Sequence, residues 1–339
     1  MRGSGLALRM QSRSATPMRI RLATAFAVLA LSGHATPAAA SVDYLHHLSS
    51  TNGKLPLDAM RLSYDAAHAE VWVVSGGVAR VFNSSGMELY SFGHNPELGT
   101  PQAVVGLEDG DLAVVAVADG EWRLVRCNFR GDPKGRIQLS GVPEGFLDGF
   151  QPTKLIFAGG KLHVVSFTSM KVLVIDPSGA MVAAHDLAKM TDNESLRADL
   201  GLGGFSVDRD GSFLFTIPTQ FTAFIVTPSG EVKAFGQKGS APGKFQVVTG
   251  IGRDAAGNVF VADVLKSTVI MFDPALSFVE EFGFRGRKPS NLVGPHEMIV
   301  ADSRIYVGQR ALRGVSVFEV KADPAVAARA RASEAVVQQ

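Results

Sequence analysis

The sequence predicts an all-β fold, a six-bladed β-propeller whose last blade is finished by the N-terminal strand. Three observations point there. A cycle of four short β-like runs recurs six times, with Leu62, Val104, Leu155, Phe205, Ile251 and Met298 in one equivalent place at intervals of 42, 51, 50, 46 and 47. Asp, Asn, Ser, Pro and Gly punctuate each cycle where hairpin turns belong. The sixth copy lacks one strand, and a strand-like segment near the start of the chain supplies it. Four-stranded repeats of this length, six in number, match a propeller.

The chain opens with an address label. Arg19 and Arg21 precede the apolar run Leu22–Leu31, and Pro37-Ala-Ala-Ala40 follows as a small-residue cleavage context. The run is shorter than the ~20 residues a membrane span needs. A secretory signal peptide over 1–40 is therefore expected, cut near Ala40, with Met18 as an alternative start; a retained membrane anchor is the competing reading. No Cys follows the apolar run, so no lipid anchor is expected. The mature protein is expected in the periplasm or outside the cell, with no transmembrane segment after cleavage.

The propeller is expected over 41–320. Its clearest unit starts Gly243-Lys-Phe245, runs through Gly250-Ile251 and Asp254-Ala-Ala-Gly257-Asn258-Val259-Phe-Val-Ala-Asp263, and continues Val269-Ile-Met-Phe272-Asp273-Pro to Phe282-Gly283. Second strands recur as Val71–Val74, Leu112–Val115, Leu162–Val165, Phe213–Phe215, Val259–Val261 and Ile305–Val307. Third strands recur as Ala79–Phe82, Arg123–Val125, Val172–Ile175, Ala223–Val226, Val269–Phe272 and Val315–Phe318. Three of them lead into similar turns, Asn83-Ser-Ser-Gly86, Asp176-Pro-Ser-Gly179 and Thr227-Pro-Ser-Gly230. After Phe318-Glu-Val320 the β pattern stops, and 321–339 reads as a flexible or short helical tail. The missing outer strand is Val42–Ser49, whose pairing into blade six would remove an exposed sheet edge.

Composition narrows the partners. The chain of 339 residues carries a formal net charge of +1, which lacks the basic field that phosphate neutralisation needs, so no nucleic-acid partner is expected. The basic stretch Arg285-Gly-Arg287-Lys288 reads as a solvated loop. Cys127 is the only cysteine, so stability must come from packing without an internal disulfide, and its strand-like surroundings make it a structural thiol.

Copy five resembles an NHL repeat in its Gly-x-Phe start, Gly-Ile, Asp-x-x-Gly-Asn-Val-Phe-Val-Ala-Asp, Val-x-x-Phe-Asp and closing Phe-Gly. Copy four agrees through Gly204-Phe-Ser-Val-Asp208-Arg-Asp-Gly211 and Ala234-Phe-Gly236; copies one, two, three and six keep only the β pattern. The resemblance implies an exported bacterial propeller of the NHL-like type, mostly binding scaffolds. It also implies relatives with lyase or lactonase chemistry, whose metal ligands ring the central channel.

A propeller gathers its site where loops lead into the innermost strands. One step before the aligned apolar position stand Arg61, Ala103, Lys154, Gly204, Gly250 and Glu297; one step earlier stand Met60, Gln102, Thr153, Gly203, Thr249 and His296. An open catalytic zinc site uses three protein ligands, and only His296 qualifies; His68, His163 and His185 fall in a hairpin, mid-strand and in an outer strand. A calcium site needs several oxygen ligands, yet the places equivalent to Asp263 hold Ser75, Val117, Phe167, Ile217 and Gln309. No metal site and no cofactor are therefore expected. No catalytic set assembles either; His296 beside Glu297 is the only pair with the character of a general base or lone ligand. Arg61, Lys154, His296 and Glu297 are the candidate ligand-binding residues. Two cations and one carboxylate would orient an anionic or zwitterionic ligand, or else form a satisfied ion cluster that closes the channel. Asp254 and Asp263 are expected to bond turns and blades. The leading function is a non-enzymatic platform for a protein, peptide or small ligand. A metal-assisted lyase or lactonase and a structural subunit of an envelope or electron-transfer complex are the alternatives.

Overall fold

The structure is a computed structural model that describes residues 41–49, 60–310 and 313–321. The expected signal peptide and the tail beyond Lys321 lie outside the described residues. Strand β1 (Ser41–His47) comes first. Blade one is β2 (Arg61–Asp65), β3 (Glu70–Ser75), β4 (Val78–Phe82) and β5 (Glu88–Phe92), and blade two is β6 (Thr100–Gly106), β7 (Leu112–Ala118), β8 (Glu121–Cys127) and β9 (Pro133–Arg136). Blade three is β10 (Lys154–Ala158), β11 (Lys161–Ser166), β12 (Lys171–Ile175) and β13 (Met181–Asp186), followed by the one-turn helix α1 (Leu187–Met190). Blade four is β14 (Gly204–Val207), β15 (Phe213–Ile217), β16 (Thr222–Val226) and β17 (Val232–Phe235). Blade five is β18 (Val248–Arg253), β19 (Val259–Asp263), β20 (Thr268–Phe272) and β21 (Phe278–Phe282), and blade six joins β22 (Pro295–Ala301), β23 (Arg304–Gln309) and β24 (Val315–Lys321) to β1.

Each innermost strand touches the next, and β22 touches β2, which closes the ring. The six aligned apolar residues all lie on innermost strands and face their second-strand partners, from Leu62 against Val73 to Met298 against Val307. Each is at most 2% exposed. Six apolar clusters hold the ring, each built from two neighbouring blades; Trp72 and Val74 pack with Val114 and Leu112 between blades one and two, and Val165 and Val172 with Phe205 and Phe215 between three and four. Burial between blades, not within one, is thus the force that makes six sheets one domain.

Blade six closes as the sequence predicts. Ser41 pairs with Lys321, Tyr44 with Phe318 and His47 with Ser316, and the Tyr44 and Phe318 rings meet edge to face at 5.8 Å. The ladder extends one residue past Val320, into Lys321. The turn residues act through side-chain oxygens. Asn83 Oδ1 accepts from Ser85 and Met87 amides, and Gly86 adopts φ +83°, a left-handed turn position that suits glycine. Asp254 accepts from the Ala256 and Asn258 amides at 2.9 and 2.8 Å. Asp263, fully buried, accepts from the amides of Gln246, Val247, Leu265 and Lys266. Both aspartates are turn and blade fasteners. Cys127 is buried, and burial pushes its thiol up to about 12. Arg285, Arg287 and Lys288 are exposed on the β21–β22 connection. Among the described residues no helix is long and apolar enough to cross a membrane.

Candidate functional site

All six innermost strands run the same way, so the channel has two unlike ends. The connector face carries the segments arriving from the preceding blade; the hairpin face carries the turns that lead each innermost strand into the second.

Three of the four sequence-predicted residues meet near the connector face. Lys154 opens β10, Glu297 stands third in β22, and both are 3% exposed. Blades three and six face each other across a ring of six, so the Lys154 Nζ–Glu297 Oε1 ion pair crosses the axis. Arg61, at the start of β2, lies 3.7 Å from Glu297 Oε2, donates from Nε to the Thr153 carbonyl at 2.8 Å, and places its guanidinium 5.7 Å from the Phe167 ring centre. The channel is therefore barred by two cations and one carboxylate, a set with one positive charge in excess. The small residues at the other equivalent places have a packing reason. A Cβ on Gly204 would sit 2.4 Å from the Thr249 carbonyl oxygen, and one on Gly250 2.5 Å from Met298 Cβ, because these innermost strands approach closely.

His296 stands apart from that triad. It sits at a register shift between Pro295 and Glu297, and no hydrogen bond joins it to Arg61, Lys154 or Glu297. Its Nδ1 is buried and makes no hydrogen bond of normal length. Burial lowers its pKa, the nearby Glu297 carboxylate opposing the shift, and the ring is neutral at neutral pH.

Beyond the bar the channel opens toward the hairpin face as a cup of about 350 Å3. Lys154 reaches into it, and the walls include Ser206 and Arg253, with Tyr64, Arg209 and Asp302 at the rim. Arg253 donates from Nη1 to Asp208 Oδ2 at 2.6 Å, while its Nε and the Ser206 Oγ are buried without hydrogen-bond partners. Tyr64 donates its hydroxyl to Asp302 Oδ2 at 2.9 Å; burial first, then that carboxylate, raises its pKa and keeps the phenol protonated. Arg209 and Asp302 approach to 3.7 Å, both well exposed, and such a pair contributes little. Lys154, Arg209 and Arg253 are matched by Asp208, Asp254 and Asp302 around the cup, and the two orphan donors, one of them on a guanidinium, make it fit for an acceptor-rich guest.

The cup is the feature that sequence reasoning missed, since it looked only at the connector face. The available signal was a row of polar residues at the ends of the innermost strands, Tyr64, Asp208-Arg209, Arg253-Asp254 and Asp302. The three other histidines weighed from the sequence lie elsewhere. His163 and His185 line a second cavity of about 380 Å3 between blades three and four. Burial lowers the pKa of both, that of His163 to about 4. His68 lies on the β2–β3 hairpin, where ligand atoms of Asp65, His68 and Glu70 fall within 4.8 Å of one another; none of the three lines the cup.

No protein-family model matches the sequence, and no curated protein matches it. Solved structures do. A protein of unknown function from Bacteroides thetaiotaomicron superposes with a TM-score of 0.56 at 13% identity, over 83% of this chain and 76% of that one. Virginiamycin B lyase from Staphylococcus aureus gives 0.51 at 15% identity, over 77% and 80%. The PQQ-bound aldose sugar dehydrogenase from Streptomyces coelicolor gives 0.51 at 14% identity, over 84% and 99%. The chain thus shares its six-bladed fold with a lyase, a dehydrogenase and a protein of unknown function.

Proposed function

We propose that this is an exported, non-enzymatic binding propeller that holds a small anionic ligand in the cup on its hairpin face. The observation that carries the reading is the barred channel. A partly apolar cavity reaches Lys154, which is buried and paired with Glu297 beside Arg61, and carries unpartnered donors at Arg253 and Ser206. Its volume falls in the range of roughly 300–1,000 Å3 typical of small-molecule sites. The titratable groups of the cup are already committed, Lys154 to Glu297, Arg253 to Asp208 and Tyr64 to Asp302, an arrangement suited to holding a charge rather than to passing protons. The leader-like N-terminus supports export, and the NHL-like motif of blade five supports a scaffold role.

The test is thermal stabilisation of the purified chain by a panel of small carboxylates. A ligand at one hundred times its Kd stabilises by about 2.7 kcal/mol, which raises Tm. Ser206→Phe, which fills the cup, should abolish the rise; an equal rise in that variant, or no rise with any carboxylate, would count against the cup. A metal-assisted lyase or lactonase would instead retain a stoichiometric divalent ion on purification and lose it in His296→Ala.

A further inference from the structure

The cup does not end at its rim. It and the second cavity share Ala158, Gly159, Val207, Asp208 and Arg209 as walls, so the two adjoin between blades three and four. On the shared wall Gly159, at φ +57° in the β10–β11 hairpin, presents no side chain, and a Cβ built there would meet nothing within 4 Å.

The two chambers differ in chemistry. The inner one holds Lys154, Arg253 and the orphan donors. The outer one is mainly apolar and aromatic, with Lys161 and Asp210 also in its lining: Val174 and Ala183 of blade three face Phe213 of blade four, whose ring meets His163 and His185 edge to face at 6.0 and 4.9 Å. His163 is 7% exposed, with Nδ1 buried and unpartnered, and both imidazoles are neutral at neutral pH, so they add polarity without charge. Val182, 49% exposed, lines the outer flank where a solvated strand would ordinarily carry a polar residue.

Resting on the reading of the cup as an anion site, we infer that the ligand is an amphipathic acid. Its carboxylate sits in the cup near Lys154 and Arg253, and its apolar body passes over Gly159 into the groove against Phe213. A purely polar acid would leave the groove empty, and a cationic amphiphile would leave the orphan donors of Arg253 and Ser206 unanswered.

Calorimetric titration of the purified full chain with butyrate, decanoate and decyltrimethylammonium, each below its micelle concentration, separates the possibilities. Decanoate should bind at least about tenfold more tightly than butyrate, a conservative expectation for burying extra methylenes, and more tightly than decyltrimethylammonium, whose cationic head cannot accept from Lys154, Arg253 or Ser206. Ala183→Phe, which fills the groove outside the cup, and Val182→Asp, which charges the exposed flank, should each bring decanoate to the affinity of butyrate while leaving butyrate unchanged. Butyrate bound as tightly as decanoate, or decanoate unaffected by both variants, overturns this inference and leaves the anion cup standing. Decyltrimethylammonium bound as tightly as decanoate, or no binding by either acid, overturns both.

Discussion

Removing the carboxylate of Glu297 is the perturbation to which the channel closure should respond most sharply. Glu297→Gln keeps the shape but leaves Lys154, 3% exposed, and Arg61 facing one another with no counter-charge. Deleting one partner of a buried pair costs roughly 3–5 kcal/mol, because the remaining charge stays desolvated. Lys154→Met should be milder. It leaves Arg61 and Glu297 at 3.7 Å as a neutral pair, and the thioether occupies most of the lost stem, so the cost is that of one unsatisfied carboxylate oxygen, about 1–3 kcal/mol. The double variant Lys154→Met with Glu297→Gln leaves only the charge of Arg61, which is held by the Thr153 and Met60 carbonyls, and should cost less than the two single changes added together. Urea unfolding followed through the fluorescence of Trp72 and Trp122 reads all three, with midpoints compared at constant slope. The reasoning fails if Glu297→Gln shifts stability by no more than a surface change, about 0.5 kcal/mol, or if Lys154→Met proves the costlier of the two.

Stability should fall on mild acidification. Burial holds His163 near 4, below the ordinary 6.5, so between those values the unfolded chain binds the proton that the folded chain refuses. The stabilisation is complete above pH 6.5 and is lost as pH falls toward 4, by up to roughly 3 kcal/mol from this residue; His163→Leu should flatten the slope of urea midpoint against pH. The Cys127 thiol, buried and pushed up to about 12, should resist a thiol-specific reagent at pH 8 in the folded protein and react once unfolded. Deleting residues 41–47 should expose the edge of β24 and give a chain that self-associates on size-exclusion chromatography, whereas a monomer as stable as the parent would deny β1 its closing role.

The blades were legible because each carries its own signal. Alternating apolar runs and Asx or Pro-Ser-Gly turns recur at one period, and the six aligned positions fall on six innermost strands. Closure by β1 was legible from a deficit, three strands in the last copy and one spare segment near the start. Even the meeting of Arg61, Lys154 and Glu297 followed from alignment, since equivalent places in a ring must converge. What alignment left open was whether they face a guest or one another, because the reach of Lys154 across the axis to Glu297 depends on channel width. Width is set by Gly204 and Gly250 drawing innermost strands together, a three-dimensional consequence that no single repeat displays. The groove was hidden for a similar reason. His163 and His185 sit two strands apart on one face, and only Phe213 from the next blade makes them neighbours.

The decisive property of the molecule is which end of its channel takes the guest. Difference density from crystals soaked in decanoate answers this directly. The carboxylate is predicted within hydrogen-bond reach of Lys154, Arg253 or Ser206, with the chain leaving over Gly159. Density on the connector face beside His296 instead, with the cup holding only water, would contradict it.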